Sequence, residues 1–394
     1  MLRYFTAGES HGEALVAFLS GLPAGLKVDQ AFIDRELWRR QQGFGRGGRM
    51  KIERDTAHIL SGVRHGKTIG APISILLENK DWKNWQEILP VEEGDPAKHK
   101  GVASPRPGHA DLAGALKYHF HEARYVLERA SARESTGRVA MGALAKLFLR
   151  ELGIEVLSHV IAVGKATLND AEVPWEKLRQ LHAKNEVLLN CADPQAEERM
   201  KAEVDQALRT GDSVGGVFEV VAHGVPPGLG TYAQWDERLD GLLAQAVMSL
   251  QAVKGVEVGT GVESAFSFGS AVHDEIGYAQ QESPGTFTRF TRSSNHAGGV
   301  EGGISNGQDI LVRGYLKPIS TLRRPLGSVD FETREPVKAA YERSDVCVVP
   351  AAGVAAEAMV ALALARCALE KFGGDSMTET LRNYEGYKKQ LREF

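Results

Sequence analysis

Two histidines of this sequence stand among small residues that would let a ligand come close. His11 lies within GESHG at 8–12, and His109 follows Arg106-Pro107-Gly108. An imidazole can exchange a proton near neutral pH, so both side chains are candidates for acid–base chemistry or for ligand binding. Simple packing is the alternative at each position. Seven other histidines lie in ordinary patterns and are interpreted as structural or exposed: His58, His65, His99, His119, His121, His159 and His182.

Arginines recur beside glycine and serine in the same way. Guanidinium groups bind carboxylates and phosphates through paired hydrogen bonds, so the pattern favours an anionic ligand. Solvated arginines on turns and helices are the alternative reading of each cluster taken alone. The arginines concerned are Arg40, Arg46, Arg49, Arg106, Arg129 and Arg133.

The segment 43–48 (GFGRGG) matches the dinucleotide pattern G-x-G-x-x-G. That fingerprint requires a strand before the glycines and a helix after them, because the helix N-terminus meets the pyrophosphate. Here a predicted helix precedes the segment and a strand follows. We therefore reject a Rossmann site and interpret the segment as a loop that carries arginines.

Three further segments add polar groups. Asp345 follows Arg343-Ser344 and could act as a base or form a salt bridge. The segments 302–307 (GGISNG) and 317–321 (KPIST) offer backbone donors, hydroxyls and an ammonium, which are groups that hold phosphate esters. A hairpin turn explains the first of these segments equally well.

Composition limits the class of protein. The 394 residues carry a net charge of -4, which gives no overall attraction to nucleic acid or to a membrane. The three cysteines are widely spaced, and no His or Cys pair has the spacing of a metal site. The N-terminus has no secretory signal pattern, and Glu357 and Arg366 interrupt the apolar run at 351–369. These features predict a cytoplasmic enzyme without a metal, a membrane span or a nucleic-acid partner.

The elements that must position these residues follow from periodicity and end signals. Asp29 predicts the start of a helix that continues to about Gln42. Glu128 to Leu152 is predicted as one helix, and the apolar segment near 352–371 as another. A polar segment at 167–212 with two helices is interpreted as a peripheral insertion, and 280–300 as a mobile flap. Strands are predicted at 2–6, 14–19, 50–54, 57–63, 71–77, 154–163, 216–222 and 309–315.

One sequence pattern occurs twice. FLSGLPAGL at 18–26 and VAHGVPPGLG at 221–230 each run from an apolar strand into a Gly-Pro turn, and each precedes an amphipathic helix. Either the chain contains an internal pseudo-twofold duplication, or common turn residues recur by chance. The strand pattern lacks regular βαβ spacing and favours an antiparallel α+β fold. We predict a single domain over 1–394.

Taken together, these motifs resemble the chorismate synthase family over essentially the whole chain. The resemblance implies trans-1,4 elimination of phosphate from 5-enolpyruvylshikimate 3-phosphate, a carbon–oxygen lyase reaction that needs reduced FMN without net oxidation. At Ser20 the chain departs from the acidic residue that usually precedes Gly-Leu-Pro, which puts only a structural detail in doubt. The motifs are GESHG (8–12), GFGRGGRM (43–50), RPGHAD (106–111), RASARES (129–135), EGGISNG (301–307), KPIST (317–321) and RSDVC (343–347).

The resemblance also implies roles for individual residues. His11 is expected to protonate the departing phosphate, His109 to face the anionic reduced flavin, and Asp345 to help flavin N5 take the C6 proton. Substrate or NADP binding is expected from Arg40, Arg46, Arg49, Arg106 and Arg133, and substrate binding also from Arg343. The flavin cradle is expected to comprise Arg129, Ala130, Ser131, Gln251, Ala252, Gly302, Lys317, Pro318, Ile319, Ser320, Thr321 and Arg343.

The family further implies a β-α-β sandwich, with central helices between antiparallel sheets, assembled as a homotetramer. Some members reduce their own flavin with NADPH. No insertion here resembles a reductase domain, so external reduced flavin is expected, with NADPH as an external or intrinsic reductant. Two other classes compete on the residues alone: a binding protein or hydrolase for phosphorylated sugars, and an RNA-binding module using the Arg-Gly clusters. The acidic net charge counts against the RNA-binding module.

Overall fold

A computed structural model describes residues 1–47, 54–168, 173–184, 186–281, 285–342 and 345–394. Arg49 and Arg343 lie outside these ranges, as do most of the predicted strand at 50–54 and part of the segment 280–300. The α-helices of the described ranges are α1 Gln30–Gln41, α2 Asp111–Tyr118, α3 Arg124–Ala130, α4 Ser135–Glu151, α5 Trp175–His182, α6 Pro194–Thr210, α7 Leu239–Met248, α8 Gly269–Val272, α9 Val349–Phe372 and α10 Met377–Glu393.

The strands form two larger sheets and several small hairpins. The strands are β1 Arg3–Ala7, β2 Ala14–Ser20, β3 His58–Ile59, β4 Val63–Arg64, β5 Lys67–Thr68, β6 Ile73–Glu78, β7 Glu155–Val163, β8 Ala166–Thr167, β9 Gly216–His223, β10 Val253–Val258, β11 Ile276–Tyr278, β12 Phe290–Arg292, β13 Val300–Glu301, β14 Ile304–Ser305, β15 Ile310–Leu316, β16 Gly327–Val329 and β17 Pro336–Lys338. The first sheet has the order β1-β2-β6-β3 and the second β10-β15-β9-β7-β8. Within both sheets the described strands pair antiparallel. The described helices and strands give the predicted mixed content of helix and sheet.

Two long helices fill the space next to these sheets. α4 packs against β2 and β6 of the first sheet, α9 packs against β7 and β9 of the second, and the two helices pack against each other. Their backbones come very close at Gly142, where a Cβ would lie 2.2 Å from the Cβ of Ala358. α9 is long and apolar enough to cross a membrane, but most of it is buried inside the protein, as in the core helix of a globular fold.

Local signals explain the first helix. The Asp29 side chain accepts a hydrogen bond from the Phe32 amide at 3.1 Å and caps α1, as predicted. Ile33 and Leu37 lie one turn apart on its buried face. The cap and the buried face position α1, whose last turn carries Arg39 and Arg40.

The predicted continuous helix from Glu128 to Leu152 is wrong. α3 ends at Ala130, Ser131 has extended backbone (φ -61, ψ 140), and α4 begins only at Ser135. The physical reason is local competition, because the Ser131 hydroxyl accepts a hydrogen bond from the Arg133 amide at 3.3 Å and caps a short 3-10 turn. Apolar periodicity continues across the break and hides it from sequence reasoning.

Four charged side chains lie buried between α1, α4 and α9. Arg39 donates to Glu357 at 2.6 Å and to Glu36 at 2.8 Å, and the Lys146 ammonium contacts both carboxylates. The Ser158 hydroxyl donates to Glu357 at 2.5 Å. Burial would raise the pKa of Glu357, but the charges of Arg39 and Lys146 outweigh it and lower that pKa. The carboxylate is therefore ionised inside the core.

The two segments 167–212 and 280–300 both contain regular secondary structure. α5 and α6 lie within 167–212, as expected, and Met200 and Val204 of α6 belong to the main apolar core. Within 280–300, β12 pairs antiparallel with β11.

The first Gly-Pro turn is closed by one hydroxyl. Thr68 Oγ1 donates to the Pro23 carbonyl at 2.6 Å and accepts from the Leu26 amide at 2.9 Å. The Gly25 amide donates to the Thr68 carbonyl at 2.8 Å. Gly21 and Gly25 both have positive φ, of 102° and 89°, which glycine adopts without strain.

The second turn has the same set of bonds. Ser305 Oγ donates to the Pro226 carbonyl at 2.6 Å and accepts from the Leu229 amide at 2.8 Å. The Gly228 amide donates to the Ser305 carbonyl at 2.8 Å, and Gly224 and Gly228 again have positive φ. In the hairpins that hold the hydroxyls, β4 pairs with β5 and β13 with β14 in the same register.

Candidate functional site

A cavity of about 170 Å³ lies where α1, α9 and the break between α3 and α4 meet. One side of it is basic and polar, and the other is made of small apolar side chains. The lining residues are Ser10, Arg40, Arg46, Ser131, Ala132, Arg133, Ser135, Leu250, Gln251, Asp345, Val348, Ala351, Ala352 and Ala355.

Two of the lining arginines share one carboxylate. Arg133 donates to Asp55 through both terminal nitrogens, at 3.0 and 3.3 Å, and Arg40 Nη1 lies 3.7 Å from the same side chain. Arg40 also donates to Ser135 Oγ at 2.9 Å and to the Ala132 carbonyl at 3.1 Å. These three charged side chains are buried, so the guanidinium groups are held in fixed orientations beside the cavity.

The third arginine holds the predicted acidic residue. Arg46 Nη1 lies 2.7 Å from Asp345 Oδ2, and the Gly47 amide donates to Asp345 Oδ1 at 2.6 Å. Both side chains line the cavity. Of the two local interpretations of Asp345, the structure shows an ion pair, formed with an arginine that is distant in sequence.

The apolar wall comes from the N-terminal turns of α9. Ala351, Ala352 and Ala355 face the cavity together with Val348. Their short side chains leave room for a ligand and offer it no hydrogen bond. A flat or apolar part of a ligand would therefore lie on this side and its anionic groups on the other.

His11 does not line this cavity, although its neighbour Ser10 does. His11 Nδ1 lies 2.8 Å from Glu128 Oε1, and the His11 amide donates to Glu128 Oε2 at 2.8 Å. The ring stacks on Trp85 with the ring centres 3.9 Å apart. Burial would raise the pKa of Glu128, but the hydrogen bond from His11 and the charges of His11 and Arg124 lower it.

His109 belongs to a third group of residues. His109 Nδ1 lies 2.5 Å from Asp111 Oδ1, and Arg106 donates to Asp111 at 2.8 and 3.0 Å. Arg106 also donates to Thr321 Oγ1 at 3.0 Å. Burial would raise the pKa of Asp111, but the hydrogen bonds from His109 and Arg106 outweigh it and hold that pKa well below its usual range.

The segment 317–321 joins this group to the cavity wall. The Lys317 amide donates to the Ala252 carbonyl at 3.0 Å, and its ammonium donates to the Gly108 carbonyl at 2.5 Å. Burial and the nearby charge of Lys254 lower the pKa of Lys317. Ala252 has a φ of 68°, a left-handed conformation that is strained for alanine and that is often found at functional sites.

Two residues of the predicted flavin cradle have other surroundings. Arg129 donates to the carbonyls of Gly8 and Thr6 at 3.0 and 2.9 Å, which ties α3 to the GESHG loop. Gly302 forms the turn between β13 and β14 with a φ of 60° and no atom within 4 Å of an added Cβ. Its place is at a hairpin tip, outside the set that lines the cavity.

The structure therefore brings together part of the predicted set. Arg40, Arg46, Arg133 and Asp345 share one cavity with Ser131 and Gln251, whereas Arg106 and His109 form a neighbouring group and His11 another. Pro318, Ile319, Ser320 and Thr321 lie in the joining segment, and Ala130 ends α3. Arg49 and Arg343 are outside the described residues.

Sequence reasoning missed the carboxylates that pair with these cations. Asp55, Asp111 and Glu128 each hold an arginine or a histidine named above. Asp111 stands two residues after His109 inside RPGHAD, and Glu128 directly precedes RASARES. Their position within or beside a motif could have identified these two carboxylates as site residues. Asp55 and the stacking partner Trp85 had no such signal.

Comparisons with known proteins agree over the full length. A family model described as chorismate synthase matches residues 2–369. The chain is 77% identical over 394 residues to a chorismate synthase of Koribacter versatilis (strain Ellin345), with 100% of both chains covered. It is 51% identical to one from Aquifex aeolicus (strain VF5), covering 100% of this chain and 99% of that one. A crystal structure of chorismate synthase, 41% identical, superposes with a TM-score of 0.78 and covers 100% of this chain and 99% of that chain.

Proposed function

The chain belongs to the chorismate synthase family, and we propose that its arginine-lined cavity binds 5-enolpyruvylshikimate 3-phosphate for elimination of phosphate. The family's enzymes are carbon–oxygen lyases of aromatic amino acid biosynthesis, and their reaction requires reduced flavin. The observation that carries the assignment of the site is the convergence of Arg40, Arg46 and Arg133 on one cavity with an apolar opposite wall.

The chemistry of the substrate matches this cavity. A phosphate and two carboxylates need several cationic donors, and buried guanidinium groups bind such oxygens through directed hydrogen bonds. Asp55 and Asp345 hold the guanidinium groups in place and neutralise part of their charge in this structure. Arg49, Arg106 and Arg343 are proposed as additional donors to the substrate or to NADP.

The residues beside the cavity fit a flavin mononucleotide. Ser131 and Gln251 line the cavity. Lys317 links the next residue, Ala252, to Gly108 of the RPGH loop, and the hydroxyls, ammonium and backbone groups of these segments suit a phosphate and a ring edge with several acceptors. Bound reduced FMN supplies electron density to the substrate's double-bond system. The residues that would hold it are Arg129, Ala130, Ser131, Gln251, Ala252, Gly302, Lys317, Pro318, Ile319, Ser320, Thr321 and Arg343.

Two side chains are assigned to proton transfer, and a third to the charge of the cofactor. His11 as imidazolium donates a proton to the phosphate oxygen while the C3–O bond breaks and its electron pair stays on that oxygen. His109 is oriented by Asp111 and would offset the negative charge of a bound reduced flavin. Asp345 lies on the cavity wall, where its carboxylate can assist removal of the C6 hydrogen.

The finer features of the fold and assembly are proposals as well. The matching bonds of Thr68 and Ser305, and the equivalent strand orders β1-β2-β6-β3 and β7-β9-β15-β10, support an internal pseudo-twofold duplication within one domain over 1–394. The packing of α4 and α9 next to separate sheets supports the β-α-β sandwich. The family resemblance supports a homotetramer in the cytoplasm, supplied with reduced flavin externally, with NADPH as an external or intrinsic reductant.

An anaerobic assay tests the proposed function. Purified protein is mixed with 5-enolpyruvylshikimate 3-phosphate with and without reduced FMN, and both chorismate and phosphate are measured. We expect equimolar products only when reduced FMN is present. Phosphate release without flavin would instead support a phosphate-ester hydrolase.

A further inference from the structure

His11 is held by a buried carboxylate, Glu128, that lies outside the GESHG motif. Glu128 engages the residue twice, through the ring nitrogen Nδ1 and through the backbone amide, both at 2.8 Å. Glu128 is 3% exposed and His11 is 9% exposed. A buried carboxylate that takes two bonds from one residue fixes both the position of its backbone and the orientation of its ring.

Resting on the proposed role of His11, we propose that Glu128 is a positioning residue that sets the tautomer of His11 and keeps its imidazolium form populated. With Nδ1 committed to Glu128, the proton transferred to phosphate is the one on Nε2. The nearby carboxylate stabilises the charged ring electrostatically, because the two groups are buried together.

Two further contacts hold this pair. Arg124 Nη1 donates to Glu128 Oε1 at 3.3 Å, while its Nη2 donates to Glu342 at 2.9 Å and its Nε to the Lys100 carbonyl at 2.7 Å. Arg124 is therefore anchored through three donor atoms, and it shares the Glu128 oxygen Oε1 with the His11 ring. Its positive charge also opposes protonation of His11 and limits the effect of the carboxylate.

An aromatic ring covers the other face of the imidazole. Trp85 stacks on His11 at an interplanar angle of 27°, and its Nε1 donates to Asp81 at 3.0 Å. Lys100 and Arg124 both lie 5.5 Å from the Trp85 ring centre. The charged groups that reach His11 directly or through these partners are Asp81, Lys100, Arg124, Glu128 and Glu342.

The test measures the protonation of His11 itself. In protein labelled with ¹³C and ¹⁵N at histidine, the His11 signals are identified by their loss in His11→Gln, and their shifts are followed with pH. Glu128→Gln keeps an oxygen that can accept from Nδ1 but removes the charge. We expect the measured pKa of His11 to fall in Glu128→Gln, because the negative charge beside the ring is lost.

A second variant guards against simple misfolding of the first. Arg124→Gln removes the cation beside Glu128, so the pKa of His11 should rise, in the opposite direction from Glu128→Gln. A merely structural role would not produce shifts of opposite sign. An unchanged His11 pKa in Glu128→Gln, or a fall in Arg124→Gln, would overturn the proposal.

The pair His223 and Asp309, which is not among the residues that line the cavity, provides a matched control. His223 Nδ1 is 2.7 Å from Asp309, whose hydrogen bond raises the pKa of His223. Asp309→Asn should lower the pKa of His223 and leave the pH profile of turnover unchanged. This control shows that the NMR titration detects the loss of a carboxylate partner at a histidine that has no role in turnover.

The kinetic profile separates this proposal from the proposed function. If His11 is the acid, the alkaline limb of the turnover profile moves to lower pH in Glu128→Gln, together with the pKa of His11. If the pKa falls and the profile does not move, the Glu128–His11 pairing stands and the acid role of His11 is wrong.

Discussion

Arg46 Nη1 lies 2.7 Å from Asp345 Oδ2, so a cation assigned to the substrate holds the carboxylate assigned to proton removal. The two roles are coupled, because an anionic ligand that takes hydrogen bonds from Arg46 weakens its bond to Asp345. If both proposed roles hold, substrate binding loosens the ion pair between Arg46 and Asp345.

Asp345→Asn should therefore lower kcat by more than tenfold with a small change in KM. The amide keeps a hydrogen bond to the Gly47 amide but cannot accept a proton as a carboxylate does. Steady-state kinetics with substrate deuterated at C6 measures the effect. A raised KM with unchanged kcat and isotope effect would show that Asp345 only holds Arg46.

Arg133→Lys should raise KM about ten- to a hundredfold. A lysine keeps the charge but loses the planar pair of donors, and a hydrogen bond to a charged group is worth about 1.5–3 kcal/mol. Arg179→Lys is the matched control, since Arg179 is exposed on α5 and pairs only with Glu176 in the described structure. Equal KM values in the two variants would remove Arg133 from the binding site.

His109→Ala should lose well over tenfold in turnover while reduced FMN still binds, as for acid–base groups worth roughly 10²–10⁴ in rate. Flavin binding is followed by fluorescence, and turnover by anaerobic chorismate formation. The exposed His58 supplies the control variant His58→Ala, which should keep normal turnover. Near-normal activity of His109→Ala would exclude the assigned role.

Stability should fall on acidification below about pH 6.5, before the paired carboxylates titrate. Burial, with the charge of Arg39, lowers the pKa of His182 to about 4, so the unfolded chain binds that proton more readily than the folded one. The free energy of unfolding therefore decreases from pH 6.5 toward 4. Glu128 and Asp111, whose pKa values are lowered, contribute stability that is lost only at still lower pH.

Urea unfolding at several pH values between 4.5 and 7 measures the slope of the free energy of unfolding against pH. His182→Gln should flatten it, whatever its effect on stability at pH 7, where the bond from His182 to the Ser158 carbonyl is also lost. His58→Gln should keep the slope of the unchanged protein. Equal slopes in all three proteins would show that His182 is not the group responsible.

Glu357→Gln should destabilise the protein by about 3–5 kcal/mol. The substitution leaves Arg39 and Lys146 buried without their shared carboxylate partner, and breaking a buried pair leaves an uncompensated charge. The exposed pair Arg366–Glu370 serves as a control, since Glu370→Gln should cost no more than about 1 kcal/mol. Unfolding free energies at pH 7 compare the two, and similar values would contradict the prediction.

Sequence patterns predicted the features that depend on neighbouring residues. The Asp29 cap, the strands at 14–19 and 216–222 and the apolar helix near 352–371 follow from short-range signals, and all are present. The break at Ser131 was not predicted, because the apolar spacing that indicates a helix continues through it and one serine hydroxyl decides the backbone.

Pairings between distant residues were beyond the reach of sequence reasoning. Asp55 meets Arg133 across 78 positions, and Arg39 meets Glu357 across 318. The motifs identified the arginines as candidates because their residue type alone suggests anion binding. Which carboxylate holds each arginine depends on how the helices pack, and no local pattern encodes that.

The alanines of α9 give the enzyme a way to change ligand fit without disturbing its charges. Ala351, Ala352 and Ala355 meet the cavity, while other positions of the same helix, such as Leu362, are sealed in the apolar interior. Enlarging an alanine by a methylene or two would narrow the chamber on its neutral side only. Discrimination among substrate analogues of equal charge but different bulk can thus evolve on one short stretch of helix.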